Sequence, residues 1–231
     1  NSQPDGWSGI LSTTFLTCPQ LPQGSDPSAW QCLDVFGQGF VQPSVAKIEY
    51  ENKAAYAQTT YEISDEFRVT TGLRYTVDTT EGTNSQMVYA GFPRSSPGAP
   101  TRGPGCVLSP ATGVAPPDCR QDLDTETDAP TWLIGLDYLP TDDLMLYAKY
   151  ARGYRQGSLN MFAAEGVQEF DAEEVDAYEI GSKWSFDAPL PGTLNVALFY
   201  NELSDQQLQV GYSSSTGEAA FTTGIVNAGA S

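Results

Sequence analysis

Cationic groups are scarce in this chain. Its 231 residues carry 11 Lys and Arg against 29 Asp and Glu, a formal net charge of -18. Against that background Arg74, Lys149 and Arg155 draw notice, because each falls in an alternating stretch. Tyr147 shares its parity with Lys149 and Arg155, and Tyr56 lies in a similar stretch. Cations interleaved with phenols suit an anionic or aromatic ligand, held by ion pairs and ring contacts. Each also has a structural use, pairing with carboxylates on neighbouring segments such as Glu62, Asp137 and Glu179.

Other chemistries find less to work with. The chain has no His, which removes Ser-His-Asp and Cys-His catalysis, the usual zinc sites and His-ligated haem. The carboxylate pairs Glu173/Glu174 and Asp142/Asp143 are adjacent in sequence. In a strand, neighbours point to opposite faces, and in a turn they are solvated, so neither pair converges on a substrate. No enzyme activity and no cofactor are expected. Asp122, Asp124, Glu126 and Asp128 alternate. Hard oxygen ligands suit calcium, but the run lacks the glycine of an EF-hand turn, and a solvated strand extension is the favoured reading. Cys18/Cys32 and Cys106/Cys119 form two local pairs in stretches rich in Gly, Pro and Ser. Local disulfides in an oxidising compartment are expected.

Two parts of the chain must position these groups: residues 1–44, a loop region held by Cys18 and Cys32, and residues 45–231, built of strands. The aromatics Trp7, Phe15, Trp30, Phe36 and Phe40 predict that the first part is packed rather than disordered. In the second, strands are expected near 45–63, 67–78, 131–139, 144–155, 172–186 and 193–202. Phe67 to Asp78 shows the clearest alternation, with Phe67, Val69, Thr71, Leu73, Tyr75 and Val77 against Arg68, Thr70, Gly72, Arg74, Thr76 and Asp78. Leu144 to Arg155 sets Leu144, Leu146, Ala148 and Tyr150 against Met145, Tyr147, Lys149, Ala151 and Arg155. One face is apolar and the other mixes aromatics with cations, as in a strand between lipid and a polar lumen.

Connection lengths alternate. Short turns fall at 64–66, 140–143 and 187–192, and long excursions at 79–130, 156–171 and 203–223, the last with a possible strand at Gln207–Tyr212. Short turns on one side and long loops on the other are the pattern of an outer-membrane barrel. Aromatics fall in two bands. Phe67, Tyr138, Trp184 and Phe186 lie near the short turns, and Tyr75, Tyr150, Tyr178 and Tyr200 toward the long loops. The longest apolar runs, Leu144–Ala148 and Val196–Tyr200, fall far short of the about 20 residues of a membrane helix. The expectation is an all-β fold, an antiparallel transmembrane β-barrel section of about six or seven strands with long extracellular loops. The acidic balance argues against nucleic acid as a partner.

Several stretches resemble the barrel of TonB-dependent outer-membrane receptors: YAKYARGYRQGSLN (Tyr147–Asn160), AEEVDAYEIGSKWSF (Ala172–Phe186), LNVALFYNELSDQQLQV (Leu194–Val210) and IVNAG (Ile225–Gly229). AYAQTTYEISDEFRVTTGLRYTVD (Ala55–Asp78) resembles an earlier hairpin of the same barrels. The resemblance implies uptake of a bulky, scarce nutrient across the Gram-negative outer membrane, with a ferric-siderophore-type chelate as the expected small molecule. It implies as partners outer-membrane lipid, the remainder of the barrel and its plug, and a periplasmic energy-coupling protein reached through that plug. Such barrels have about 22 strands, so a chain that begins without Met and supplies six or seven is expected to be a piece of a longer product. The alternative from the residues alone is a secreted, soluble β-sandwich binding module, lectin-like, with no transport role.

Overall fold

A computed structural model describes residues 8–11, 16–18, 26–107, 115–163, 166–187, 189–212 and 222–229. Trp7, Phe15 and Ala188, and most of the 203–223 excursion beyond Tyr212, lie outside the described residues. The described strands are β1 (Ser8–Leu11), β2 (Leu16–Thr17), β3 (Leu33–Asp34), β4 (Phe40–Glu62), β5 (Phe67–Ala90), β6 (Arg102–Cys106) and β7 (Arg120–Thr141). They continue with β8 (Leu144–Arg155), β9 (Ser158–Leu159), β10 (Glu169–Phe170), β11 (Glu173–Phe186), β12 (Gly192–Ser204), β13 (Gln206–Tyr212) and β14 (Thr222–Ala228). Among the described residues no α-helix occurs. The main sheet runs β1-β4-β5-β7-β8-β11-β12, with β6 paired to β5, and three two-stranded ribbons join β2 with β3, β9 with β10 and β13 with β14. Each long strand pairs with its neighbour in sequence, so the sheet is a meander of hairpins.

Short turns are built as their residues predict. At the β4–β5 turn the Ser64 hydroxyl accepts from the backbone of Glu66 at 3.3 Å and of Phe67 at 3.2 Å, a side chain standing in for a backbone turn bond. The β7–β8 turn holds only Asp142 and Asp143, and the ladder shifts register between Tyr138 and Thr141.

Strands β5 and β7 run further than the alternation predicts. Thr79–Ala90 and Arg120–Ala129, expected within one long excursion, are strand. In residues 79–86 both faces are polar, with Thr80, Gly82, Asn84 and Gln86 against Thr79, Glu81, Thr83 and Ser85. A period-2 pattern of apolar residues therefore cannot reveal them. Asp122, Asp124, Glu126 and Asp128 lie in β7, the solvated strand extension that their alternation predicts. Thr222–Ala228, which includes most of the IVNAG stretch, is strand too, paired with β13 from Gln206↔Ala228 to Tyr212↔Thr222.

The chain divides into two compact units. One comprises Asn1–Glu49, Glu81–Asp124 and Leu159–Gln168. It has a small apolar core of Leu16, Cys32, Val41, Tyr89 and Phe92, flanked by Cys18, Trp30 and Met87. Two disulfides brace it, Cys18–Cys32 and Cys106–Cys119, as the cysteine spacing predicts. The Asp34 carboxylate accepts from the backbone N–H groups of Gly37 (2.8 Å), Gln38 (3.2 Å) and Gly39 (2.9 Å), closing the turn after β3. Gly37, at φ +70°, takes a left-handed conformation that favours glycine.

The other unit comprises Tyr50–Thr80, Thr125–Ser158 and Glu169–Ser231. Among its described residues no comparable apolar cluster occurs. On one face large apolar side chains stand exposed, among them Leu198, Ile180, Ile134 and Leu194. Rings are arranged in rows along that face. Tyr150, Tyr178 and Tyr200 are register partners, with ring centroids 4.9 Å and 6.3 Å apart. Nearer the short turns Phe67 stacks on Tyr138 at 4.6 Å and Trp184 lies 5.3 Å from Phe186.

Candidate functional site

The opposite face of the second unit carries the polar groups. Register places Leu133, Gly135 and Asp137 of β7 beside Ala151, Lys149 and Tyr147 of β8, and these beside Ala177, Glu179 and Gly181 of β11. Gly72 of β5 lies in the same layer, since a Cβ there would meet Gln58 and Leu133 at 3.7–3.8 Å. Side chains on four strands thus form a shallow open cleft of about 410 Å³, lined by Tyr56, Gln58, Gly72, Arg74, Leu133 and Lys149 among others. Its charged lining residues are Arg74, Lys149 and Arg152, and no carboxylate lines it. Arg152 is committed elsewhere. Its guanidinium donates to Asp176 at 2.8 Å, lies 3.6 Å from Glu174 and rests over the Trp132 ring at 4.8 Å.

Arg74 donates from Nε to the Thr76 hydroxyl at 2.9 Å. Lys149 faces Glu179 across the ladder, but among the described residues neither Arg74 nor Lys149 forms an ion pair. Glu179 is engaged by Tyr147, whose hydroxyl donates to it at 2.6 Å.

Three of the five predicted ligand residues, Tyr56, Arg74 and Lys149, therefore meet in one cleft. Tyr147 and Arg155 lie outside its lining, each with a structural task. The Tyr147 ring covers Gly181, where a Cβ would come within 2.6 Å of the phenol. An aromatic laid across a strand glycine restores the packing that the missing side chain forfeits. Arg155 pairs with Glu173 at 3.0 Å and reaches the Gln207 carbonyl at 3.5 Å. Glu173 also accepts the Gln207 backbone N–H at 2.7 Å. Asn227 completes this rim clasp. Its carbonyl oxygen accepts from the Asp171 N–H at 2.7 Å, while its amide donates to the carbonyls of Asp171 and Asp205 at 3.0 and 2.8 Å. Sequence reasoning missed Gln58, Gly72 and Leu133. Their only signal is parity with Tyr56, Arg74 and Lys149 once the strands are paired. Among the described residues no group of three or more Cys, Asp or Glu side chains is arranged to hold a metal.

The protein family described as TonB dependent receptor-like, beta-barrel, matches residues 12–231. The chain belongs to this family. The pesticin receptors of Yersinia enterocolitica and Yersinia pestis are each 26% identical to it over 163 residues, covering 70% of this chain and 20% of theirs. The chain thus spans about a fifth of the length of the curated relatives it matches. Two solved structures share its fold. The ferric yersiniabactin uptake receptor FyuA from Yersinia pestis superposes with a TM-score of 0.55 at 19% identity, over 90% of this chain and 28% of that one. The ferric-catecholate import receptor Fiu from E. coli K12 gives 0.50 at 15% identity, over 94% and 38%.

Membership makes the exposed apolar face intelligible. TonB-dependent receptors are transporters of the Gram-negative outer membrane rather than enzymes, and a barrel wall shows lipid one face and its lumen the other. The strands present form an open section, not a closed barrel. The soluble-sandwich alternative is disfavoured by the family match.

Proposed function

We propose that the chain is a wall section of an outer-membrane transporter for a bulky anionic solute, of the ferric-chelate class, and that Tyr56, Arg74 and Lys149 contact it from the lumen face. The carrying observation is the cleft itself. In a chain of net charge -18, Arg74 and Lys149 share one open surface that no carboxylate lines. A cation kept without a counter-ion is exposed to whatever anion arrives. The FyuA and Fiu receptors, whose ligands are ferric yersiniabactin and ferric catecholates, share the fold, which supports the ligand class. Lipid surrounds the opposite face. The remainder of the barrel and a plug complete the receptor, and a periplasmic energy-coupling protein acts through that plug.

Arg74→Ala and Lys149→Ala, made in the complete receptor, test the reading. A hydrogen bond to a charged group contributes about 1.5–3 kcal/mol, so each change is expected to weaken ferric-chelate binding by about 10–100-fold, with the amount of receptor in the membrane unchanged. Arg155→Ala is expected to leave affinity near that of the parent. Unchanged affinity in both Arg74→Ala and Lys149→Ala would sink the assignment.

A further inference from the structure

One face of β5 in the disulfide-braced unit carries Gly82, Asn84 and Gln86, and Gln86 donates to the Ser44 hydroxyl of β4 at 3.3 Å. Asn84 is 1% exposed, and Ser44 and Gln86 are also buried. A surface buried for good is ordinarily apolar, because each enclosed amide or hydroxyl must find a partner inside. This strip is hydrophilic throughout, yet its cover is apolar. Leu159 and Met161 lie against Gly82, where a Cβ would come within 2.9 Å of the Leu159 methyl and 2.6 Å of the Met161 sulfur. The Asn84 amide donates to the Met161 carbonyl and, at 3.2 Å, to Gln121. Its carbonyl oxygen has no partner, nor does the buried side-chain nitrogen of Gln168. The cover therefore leaves the Asn84 acceptor enclosed and unmet, a penalty that water would remove.

We propose that Leu159–Ala163 is a displaceable strap, and that the β5 strip beneath it faces water when the strap withdraws. Small and polar side chains on the strip then meet the medium that suits them, and the Asn84 carbonyl oxygen gains a hydrogen bond. The inference rests on the transporter reading only in requiring an aqueous space beside this wall.

The test uses thiol accessibility in the complete receptor within the membrane and needs no cargo, so its outcome is independent of the Arg74 and Lys149 result. Both native cysteine pairs are disulfide-bonded and do not consume reagent. Gln86→Cys and, separately, Asn84→Cys are treated with a water-soluble maleimide, with exposed Ser95→Cys as the reference. Both buried thiols are expected to react in the folded receptor at least tenfold more slowly than the reference. Adding Met161→Glu, which places a charge on the strap's apolar underside, is expected to raise the Asn84→Cys rate at least tenfold and leave the reference unchanged. An Asn84→Cys thiol that reacts only when the receptor is unfolded, with or without Met161→Glu, overturns the proposal. So does one that reacts as fast as the reference in both backgrounds.

Discussion

In the unit of residues 1–49, 81–124 and 159–168, a cluster of apolar side chains packs inside. Val41 and Phe92 are each 3% exposed, and Tyr89 and Leu16 are buried with them. In the unit of residues 50–80, 125–158 and 169–231, they stand outside, with Leu198 67% exposed and Ile180 56%. Water explains the first arrangement, since burying apolar area is the main favourable term of folding. It does not explain the second, because a contiguous apolar surface of this kind is what soluble monomers avoid. Two solvents act on one chain. The first unit makes its own interior and needs covalent braces because that interior is small. The second relies on hydrocarbon to cover one face.

The sharpest way to break this contrast is to remove a brace. The Cys18–Cys32 bridge closes a separation of 14 residues, and losing a native disulfide from a small unit costs about 2–5 kcal/mol. Cys18→Ser with Cys32→Ser in the complete receptor is expected to expose residues 26–49 and 81–107 to proteolysis. Strands β8, β11 and β12 are expected to keep their protection. Equal loss of protection in both regions would mean that the two units are not stabilised separately.

Two neighbouring residues test the solvents of the second unit. Leu198 and Phe199 are both exposed, but Leu198 shares its row with Ile180, whereas Phe199 faces Glu179. Arg on the lipid side of a barrel midplane costs about 2–4 kcal/mol. Leu198→Arg is expected to lose that much in a refolding equilibrium into lipid vesicles, and Phe199→Arg, beside a carboxylate, nearly nothing. Equal costs would contradict the assignment of lipid to one face and lumen to the other.

The sequence was most legible where one face meets an apolar phase. The hairpin from Phe67 announces itself because Val69, Leu73 and Tyr75 alternate with Arg68, Gly72 and Arg74. The same strand becomes invisible past Asp78, where Thr80 and Asn84 face one way and Glu81 and Thr83 the other. No period survives when both faces are polar, although the backbone ladder continues. The site was legible in parity but not in partners. Lys149 and Tyr147 share a face and the register sets Lys149 opposite Glu179, yet it is the Tyr147 hydroxyl that bonds that carboxylate, while Lys149 forms no ion pair among the described residues. From the sequence Arg155 has two uses, a ligand contact or the partner of a neighbouring carboxylate. Its engagement by Glu173 and Gln207 depends on contacts with β11 and β13, which local alternation does not specify.

The mildest expected effect comes from the polar outer part of β7, in the first unit. Arg120 donates to Asp122 at 2.9–3.2 Å, and the Thr83 hydroxyl donates to the same carboxylate at 2.7 Å. The Arg120 guanidinium first, and Thr83 after it, hold the Asp122 carboxyl below its ordinary value of 3.8. A carboxylate whose value is depressed by folding stabilises the folded form above its unfolded value, and that contribution is lost as the pH falls through the lower, folded one. Asp122→Asn should therefore reduce stability slightly at pH 5 and above, and the difference from the parent should vanish on acidification below the ordinary carboxylate range. Both partners are exposed, so salt should shrink the difference further. Thermal unfolding of the first unit, followed by Trp30 fluorescence between pH 7 and pH 2.5, measures it. A difference that grows on acidification would show that the Arg120–Asp122 pair does not stabilise this unit, and that its stability rests on the apolar core and the two disulfides.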